Sequence, residues 1–272
     1  MQHRKIAFIG AGNMSRSIIS GMVNSGYPAE LITASNPSTP KLDALKEAFS
    51  ICTTTDNIAA VTEAEVVVLA VKPQLMEQVC AHLQQADLQG KLFISIAAGI
   101  SHQRLQQMLG GEYKLVRTMP NTPSSLSLGM TGLYADSLLD AADHQYAGDL
   151  MQQVGEILWV EQESQIDGVI AAAGSSPAYF FLFLQSMQEE AMRMGFNKDD
   201  SRKLVQQAML GSAQMVCNNP DIELSELRAQ VTSKGGTTAE AVNTLQQQGL
   251  PEIVGKAMQA AVIRAKQMAE QF

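Results

Sequence analysis

Two short stretches of this chain have the residue types and spacing to hold anions. Residues 8–18, FIGAGNMSRSI, set Gly10, Gly12 and a small third residue, Ser15, in a G-x-G-x-x-S pattern directly after a short apolar run. Gly10 permits a tight turn, Gly12 lets the backbone approach a pyrophosphate at a helix N-terminus, and Ser15 stays small enough for close helix–strand packing. Residues 231–242, VTSKGGTTAEAV, set two glycines and two threonines ahead of a helix-like run. Thr237-x-x-Glu240 has the spacing of a capping box, so a helix is expected to begin there. Gly235 and Gly236 can gather N–H groups in front of it. From the residues alone two readings stand: a capped helix after a turn, or a cradle for a small carboxylate helped by the hydroxyls of Ser233 and Thr238.

The elements that must position these stretches differ between the two halves of the chain. Lys5–Ile9, then EVVVLAV (65–71) and KLFISI (91–96), are continuous apolar runs of the kind buried on both faces of a parallel sheet. Helical segments are expected near 13–25, 40–49, 74–88 and 101–109. That alternation predicts an α/β domain, Rossmann-like and doubly wound, over residues 1–163. Residues 164–272 show no strand pattern and read as long helices near 164–174, 177–194, 199–217, 237–248 and 251–271. PAYFFLFL (177–184) reads as a buried helix, and Met187, Ala191 and Met194 fall at helical spacing, as core or subunit packing requires.

Composition narrows the function classes. With 272 residues, 46% hydrophobic and 17% charged, the chain has enough material for two folded domains. A net charge of −8 argues against a nucleic-acid partner. No run reaches the ~18 consecutive apolar residues of a membrane span. The N-terminus runs straight into a strand, leaving no room for a signal peptide. Cys52, Cys80 and Cys217 are few and widely spaced, which predicts neither a disulfide framework nor a metal site, and a cytoplasmic location.

The edge where strands end in open α/β sheets is where a site is assembled. The second strand runs into ITASNPSTPKL (32–42), which offers Ser35, Asn36, Ser38 and Thr39 where a cofactor with a free ribose 2′-hydroxyl calls for a carboxylate. Nothing there repels a 2′-phosphate, and Pro40 sits near a helix start, so NADPH is favoured over NADH. Lys72, in AVKP, either faces the cofactor or is a solvated charge at a strand end. The small residues of SIAAG (95–99) let a nicotinamide ribose lie close. RTMPNTP (117–123) ends another strand in a loop stiffened by two prolines.

In order along nearly the whole chain, GAGNM, AVKP, SIAAG, RTMPNTP, AAGSSPAY and TSKGGTTAEAV resemble pyrroline-5-carboxylate reductase. The resemblance implies a Rossmann domain followed by an all-helical dimerisation domain. It implies NAD(P)H-dependent reduction of 1-pyrroline-5-carboxylate to L-proline, the last step of proline biosynthesis, by a homodimer or an oligomer of dimers. It places cofactor contacts at Phe8, Ile9, Gly10, Ala11, Gly12 and Asn13, at Asn36 and Asn57, at Ala70, Val71, Lys72 and Pro73, and at Ala97. It places substrate against Ser233, Gly236, Thr237 and Thr238. Two positions depart from the pattern: Ser176 stands where many members have glycine, and Lys234 where many have proline.

A cyclic imine also explains what is missing. His3, His82, His102 and His144 all fall outside the motif loops. An imine nitrogen is basic and can be protonated before hydride arrives, so orientation is the main requirement, and Thr238 is the candidate hydrogen-bond partner of that nitrogen. With a dinucleotide domain upstream, the cradle is the preferred reading of the late glycines. A β-hydroxyacid dehydrogenase would carry a lysine, with an asparagine a turn later, on the first helix of its second domain; residues 166–179 contain neither. A non-catalytic NADP-sensing regulator would not need the cradle.

Overall fold

The structure, a computed structural model, describes residues 3–271. Strands β1 (Ile6–Ile9), β2 (Ile32–Ser35), β3 (Cys52–Thr54), β4 (Val66–Leu69), β5 (Leu92–Ser95), β6 (Lys114–Met119), β7 (Gly129–Ala135) and β8 (Gly155–Trp159) form one sheet. Their order is β3-β2-β1-β4-β5-β6-β7-β8. Every neighbouring pair is parallel except β6 and β7. The order reverses between β1 and β4, which puts the crevice of a doubly wound sheet at the carboxyl ends of those two strands.

Alternation along each strand explains why the runs are apolar throughout. Ile6, Phe8, Val66, Val68, Leu92 and Ile94 feed one core, where α1 (Asn13–Asn24), α2 (Thr39–Phe49) and a later helix cover the sheet. Ala7, Ile9, Val67, Leu69 and Phe93 feed the other, under α3 (Asn57–Glu63), α4 (Pro73–Leu83) and α5 (His102–Leu109). A strand buried on both faces has no polar side to show. The later helix is α6 (Ala141–Gln152), which contributes Tyr146, Leu150 and Met151.

Beyond β8 the chain is helical. A short α7 (Gln165–Val169) passes into a π turn, Ile170–Gly174, and then come α8 (Ser176–Arg193), α9 (Lys198–Cys217), α10 (Leu224–Gln230), α11 (Thr237–Gln247) and α12 (Leu250–Gln271). Two compact units result. One holds the residues up to Pro177 together with those from Ala260 onward, and the other holds Ala178–Gln259.

The reading of PAYFFLFL as a buried helix is corrected here. Phe181 and Leu182 are each 66% exposed on α8 within the single chain. Residues 165–193 are also long and apolar enough to cross a membrane by length and composition, with 22% of the apolar window buried. Helical spacing identifies an apolar face but not what covers it.

Opposite the crevice, the sheet is fastened by a charged cluster. Asp143 is buried and takes Arg4 Nη1 at 2.5 Å and Lys114 Nζ at 2.6 Å. Lys114 also meets Asp140 at 2.6 Å, and these hydrogen bonds hold its ammonium above the ordinary lysine range. Stability from that raised value is fully present at neutral pH and fades only as alkaline pH passes it. Arg4 lies over the Tyr146 ring at 4.2 Å, and Tyr146 shares a 2.9 Å hydrogen bond with Tyr27. Asp143→Asn keeps the shape but strips two cations of their shared partner. It is expected to cost about 2–4 kcal/mol, read as a lower urea midpoint with an unchanged slope.

Candidate functional site

The GAG turn is built by close approach. Gly10 has φ 111°, and a β-carbon there would lie 2.6 Å from the Ala70 carbonyl oxygen and 3.2 Å from Val71 Cγ1. Its N–H donates to the Ser35 carbonyl at 2.8 Å, and Ala70 N–H donates to the Ile9 carbonyl at 2.9 Å. Any side chain at Gly10 would push β1 off β4. Ser15, fully buried, donates its hydroxyl to the Gly10 carbonyl at 2.7 Å, so the third small residue ties the helix to the turn as well as packing against it. Gly12 is different. It is the N-cap of α1, makes no side-chain cap, has an ordinary φ of −78°, and a β-carbon there meets nothing within 4 Å. The packing of the protein itself does not require glycine at that point.

The neighbouring residues meet along one edge. Asn36 Oδ1 accepts from Ala11 N–H at 3.4 Å, while its Nδ2 donates to the carbonyl and hydroxyl of Ser38, both at 3.0 Å. Asn57 opens α3 and takes the Ser35 hydroxyl on its Oδ1 at 2.6 Å. Ser35 therefore touches both Gly10 and Asn57, a linking role that its place in a buried strand did not advertise. Lys72 is exposed and is the N-cap of α4, with Pro73 as its first residue. Ala97 is buried just past β5, its N–H held by Ser95 Oγ at 3.4 Å.

The RTMPNTP loop holds the π turn. Buried Asn121 donates Nδ2 to the Ala173 carbonyl at 3.1 Å and accepts from Met130 N–H at 2.9 Å. Met119 Cε lies 2.6 Å from where a side chain on Gly174 would start. A π turn takes one extra residue into a helix and is common at functional sites. Asn121 was visible in the motif, but only the fold shows it holding the Ala173 carbonyl, whose helical partner four residues on is Pro177, which has no N–H to give. Ser176, the departure from the family glycine, donates its hydroxyl to the same Ala173 carbonyl at 3.2 Å and so adds to the turn.

In the TSKGGTT loop, the backbone turns at Ser233–Gly236, with Gly236 N–H donating to the Ser233 carbonyl at 3.0 Å and Gly235 at φ 73°. A positive φ at the third position of such a turn suits glycine, and its second position suits proline, which is the place Lys234 takes. The capping-box expectation is corrected: α11 begins at Thr237, but the cap is Gly236, and no side chain caps it. Glu240 N–H instead reaches the Gly236 carbonyl at 3.3 Å. Thr237 has already entered the helix, so its hydroxyl cannot serve as the cap. A β-carbon on Gly236 would lie 2.5 Å from Ser233 Oγ, which therefore rests directly on that glycine. Ser233, Thr237 and Thr238 are exposed in the single chain, and among the described residues their hydroxyls have no hydrogen-bond partner. No group of three or more metal-ligating side chains is present among the described residues.

Residues 163–268 match the family model for pyrroline-5-carboxylate reductase dimerisation, and residues 5–99 match that for coenzyme F420-dependent NADP oxidoreductases. Over 272 residues the chain is 58% identical to the pyrroline-5-carboxylate reductase of Vibrio alginolyticus, covering 100% of both. It is 46% identical to that of Haemophilus influenzae, again with 100% of both covered. A solved pyrroline-5-carboxylate reductase from Coxiella burnetii has a TM-score of 0.91 at 40% identity, covering 98% of this chain and 99% of that one. The Plasmodium falciparum pyrroline carboxylate reductase, solved with NADP bound, has a TM-score of 0.89 at 28% identity, with 99% of each covered. A 3-hydroxyisobutyrate dehydrogenase of Mycobacterium tuberculosis, at 14% identity and a TM-score of 0.52 over 72% of this chain and 67% of that one, shares the fold alone. Similar to reductases of one kind from end to end, the chain belongs to the pyrroline-5-carboxylate reductase family.

Proposed function

We infer that the protein reduces 1-pyrroline-5-carboxylate to L-proline, the last step of proline biosynthesis, with NADPH as the preferred reductant and NADH a weaker one. The observation that carries this is likeness over the full length to reductases of that name. The chain acts as a homo-oligomer joined through its helical half. The proposed division gives residues 1–163 to the cofactor and 164–272 to substrate and dimerisation. Its three cysteines are free, which suits work in the reducing cytoplasm.

Phe8–Asn13 are assigned to the pyrophosphate side of the cofactor, on the strength of the uncapped helix and the open space at Gly12. Asn36 and the Ser38 region take the 2′-phosphate, Asn57 and Ala70–Pro73 line the same edge, and Ala97 faces the nicotinamide ribose. When bound, NADPH supplies the hydride. Ser233 and Thr237 hold the substrate carboxylate through their hydroxyls and the backbone N–H groups that open α11, with Gly236 keeping Ser233 Oγ close while its own N–H closes the turn. Thr238 is assigned to the ring nitrogen, where its hydroxyl holds the proton that makes the imine carbon electrophilic. The imine gains a hydride at carbon and keeps that proton at nitrogen, so the reaction balances without an additional acid.

Following absorbance at 340 nm with pyrroline-5-carboxylate and NADPH tests the reading as a whole, and no substrate-dependent oxidation would overturn it. Gly12→Val has room in the protein, so the variant should fold and yet lose NADPH affinity by at least about tenfold. Unchanged affinity would remove the anion role. Asn36→Asp puts a carboxylate beside Ser38, and NADPH should lose about tenfold or more relative to NADH, consistent with ~1.5–3 kcal/mol for a charge-assisted contact. Taking the ratio of the two cofactors cancels any damage to the Ala11 contact.

Thr238→Ala should lower kcat by roughly tenfold to a thousandfold, with a smaller rise in KM and NADPH affinity nearly intact. Wild-type kinetics in that variant would leave the loop as no more than the start of a helix.

A further inference from the structure

Arg117 carries a buried charge that the chemistry above does not use. It lies on β6, is 5% exposed, and reaches Glu163 Oε1 with Nη1 at 2.7 Å. The same oxygen accepts the backbone N–H of His102 at 2.6 Å. One carboxylate oxygen thus joins the strand leading into RTMPNTP to the first residue of α5. Glu163 is itself the start of the turn into α7, its carbonyl taking Ile166 N–H at 3.0 Å.

The segment fastened in this way is short. Residues 96–101 run from β5 to α5 and include Ala97. At one end Ile96 N–H is held by the Leu69 carbonyl at 3.2 Å, and Ser95 stands in register with Arg117. At the other end is the His102 N–H on Glu163. Between them Ile100 is fully buried, and Met268 Cβ lies 2.6 Å from where a side chain on Gly99 would begin. A shift at the His102 end is passed toward Ala97 through these packed residues.

Folding of α5 does not depend on Glu163. Ser101 is already its N-cap, accepting Arg104 N–H at 3.1 Å. Arg117 does not depend on Glu163 alone either, since Asp167 Oδ1 lies 4.0 Å from its Nη2. A carboxylate that is redundant for the helix, yet binds two ends of the site at once, sets their separation.

We propose that Glu163 is a positioning residue for hydride transfer, fixing the loop that carries Ala97 through Arg117 and the His102 amide. This rests on the reductase reading above. The full-length Glu163→Gln variant keeps the side-chain shape but turns two charge-assisted hydrogen bonds at Oε1 into weaker ones to a neutral amide oxygen. Asp167→Asn removes the other carboxylate facing Arg117 without touching His102. In Glu163→Gln, kcat should fall by about tenfold to a hundredfold, the scale of a small misplacement of reacting groups. The deuterium isotope effect on kcat with 4-deuterated NADPH should rise, while NADPH affinity measured without substrate changes less than about threefold. In the cofactor-free protein, amide exchange across residues 96–103 should quicken. Asp167→Asn should show none of these changes. If Glu163→Gln is unstable, Glu163→Asp keeps the charge but withdraws it from His102, and the same loss of kcat is expected.

The proposal is overturned if kcat stays within about twofold of the parent, or if exchange over 96–103 is unchanged. Equal kinetic losses in Asp167→Asn would overturn it too, by reducing Glu163 to a strut. A parent protein inactive on pyrroline-5-carboxylate would instead sink the reductase reading, and the exchange comparison would still decide the loop link.

Discussion

The Ala70 carbonyl occupies the space a side chain on Gly10 would need, 2.6 Å from its β-carbon, and the nucleotide edge is arranged around that contact. β1 and β4 are neighbours in the sheet although two strands separate them in the chain, and their ends can meet only if the turn after β1 stays bare. The bare turn aims α1 at the crevice. Ser15 then locks the helix to the Gly10 carbonyl, and the Ser35 carbonyl takes the Gly10 N–H. Removing this contact would separate Asn36, Asn57 and Ala70, because each reaches the others through Gly10, Ala11 or Ser35.

A second constraint governs the helical half, where no sheet can cover apolar faces. Hydrophobic burial is worth about 25 cal/mol per Å², and a helix that leaves Phe181 and Leu182 two-thirds exposed forgoes most of it within one chain. Burial against a second copy, as proposed for the helical half, would restore it. The same fact accounts for residues 165–193 having the length and hydropathy of a membrane helix: a subunit contact and a lipid contact ask the same of one face.

How far the molecule was legible in the sequence follows from range. Strands β1, β4 and β5 and helices α1, α2, α4 and α5 could be read because doubly buried strands and amphipathic helices write their environment into consecutive residues. The three-residue β3, the antiparallel β7 and the edge strand β8 left weaker marks, since pairing rather than pattern decides them. The capping box failed for a local reason: T-x-x-E spacing does not reveal that Gly236 has already taken the cap. The role of Ser35 and the carboxylate of Glu163 could not be read at all, because their partners lie 22 and 61 residues away.

The chemistry asked of the loop is modest, and the structure is economical in the same way. A ketone accepting hydride becomes an alkoxide and needs a strong acid close by. A protonated imine becomes a neutral amine, so charge at the reacting nitrogen falls as the reaction proceeds. A fixed positive side chain beside that nitrogen would oppose its protonation, and a fixed carboxylate would stabilise the iminium more than the product. A neutral hydroxyl such as that of Thr238 favours neither end strongly and can accept from N–H throughout. The substrate's own carboxylate is the group that needs fixed dipoles, and in the proposed assignment those are the N–H groups at the start of α11, where no side chain caps the helix. On the proposed assignment the work is split, dipoles for the spectator anion and a neutral hydroxyl for the reacting nitrogen, and the rate then depends on how well the reacting groups are placed.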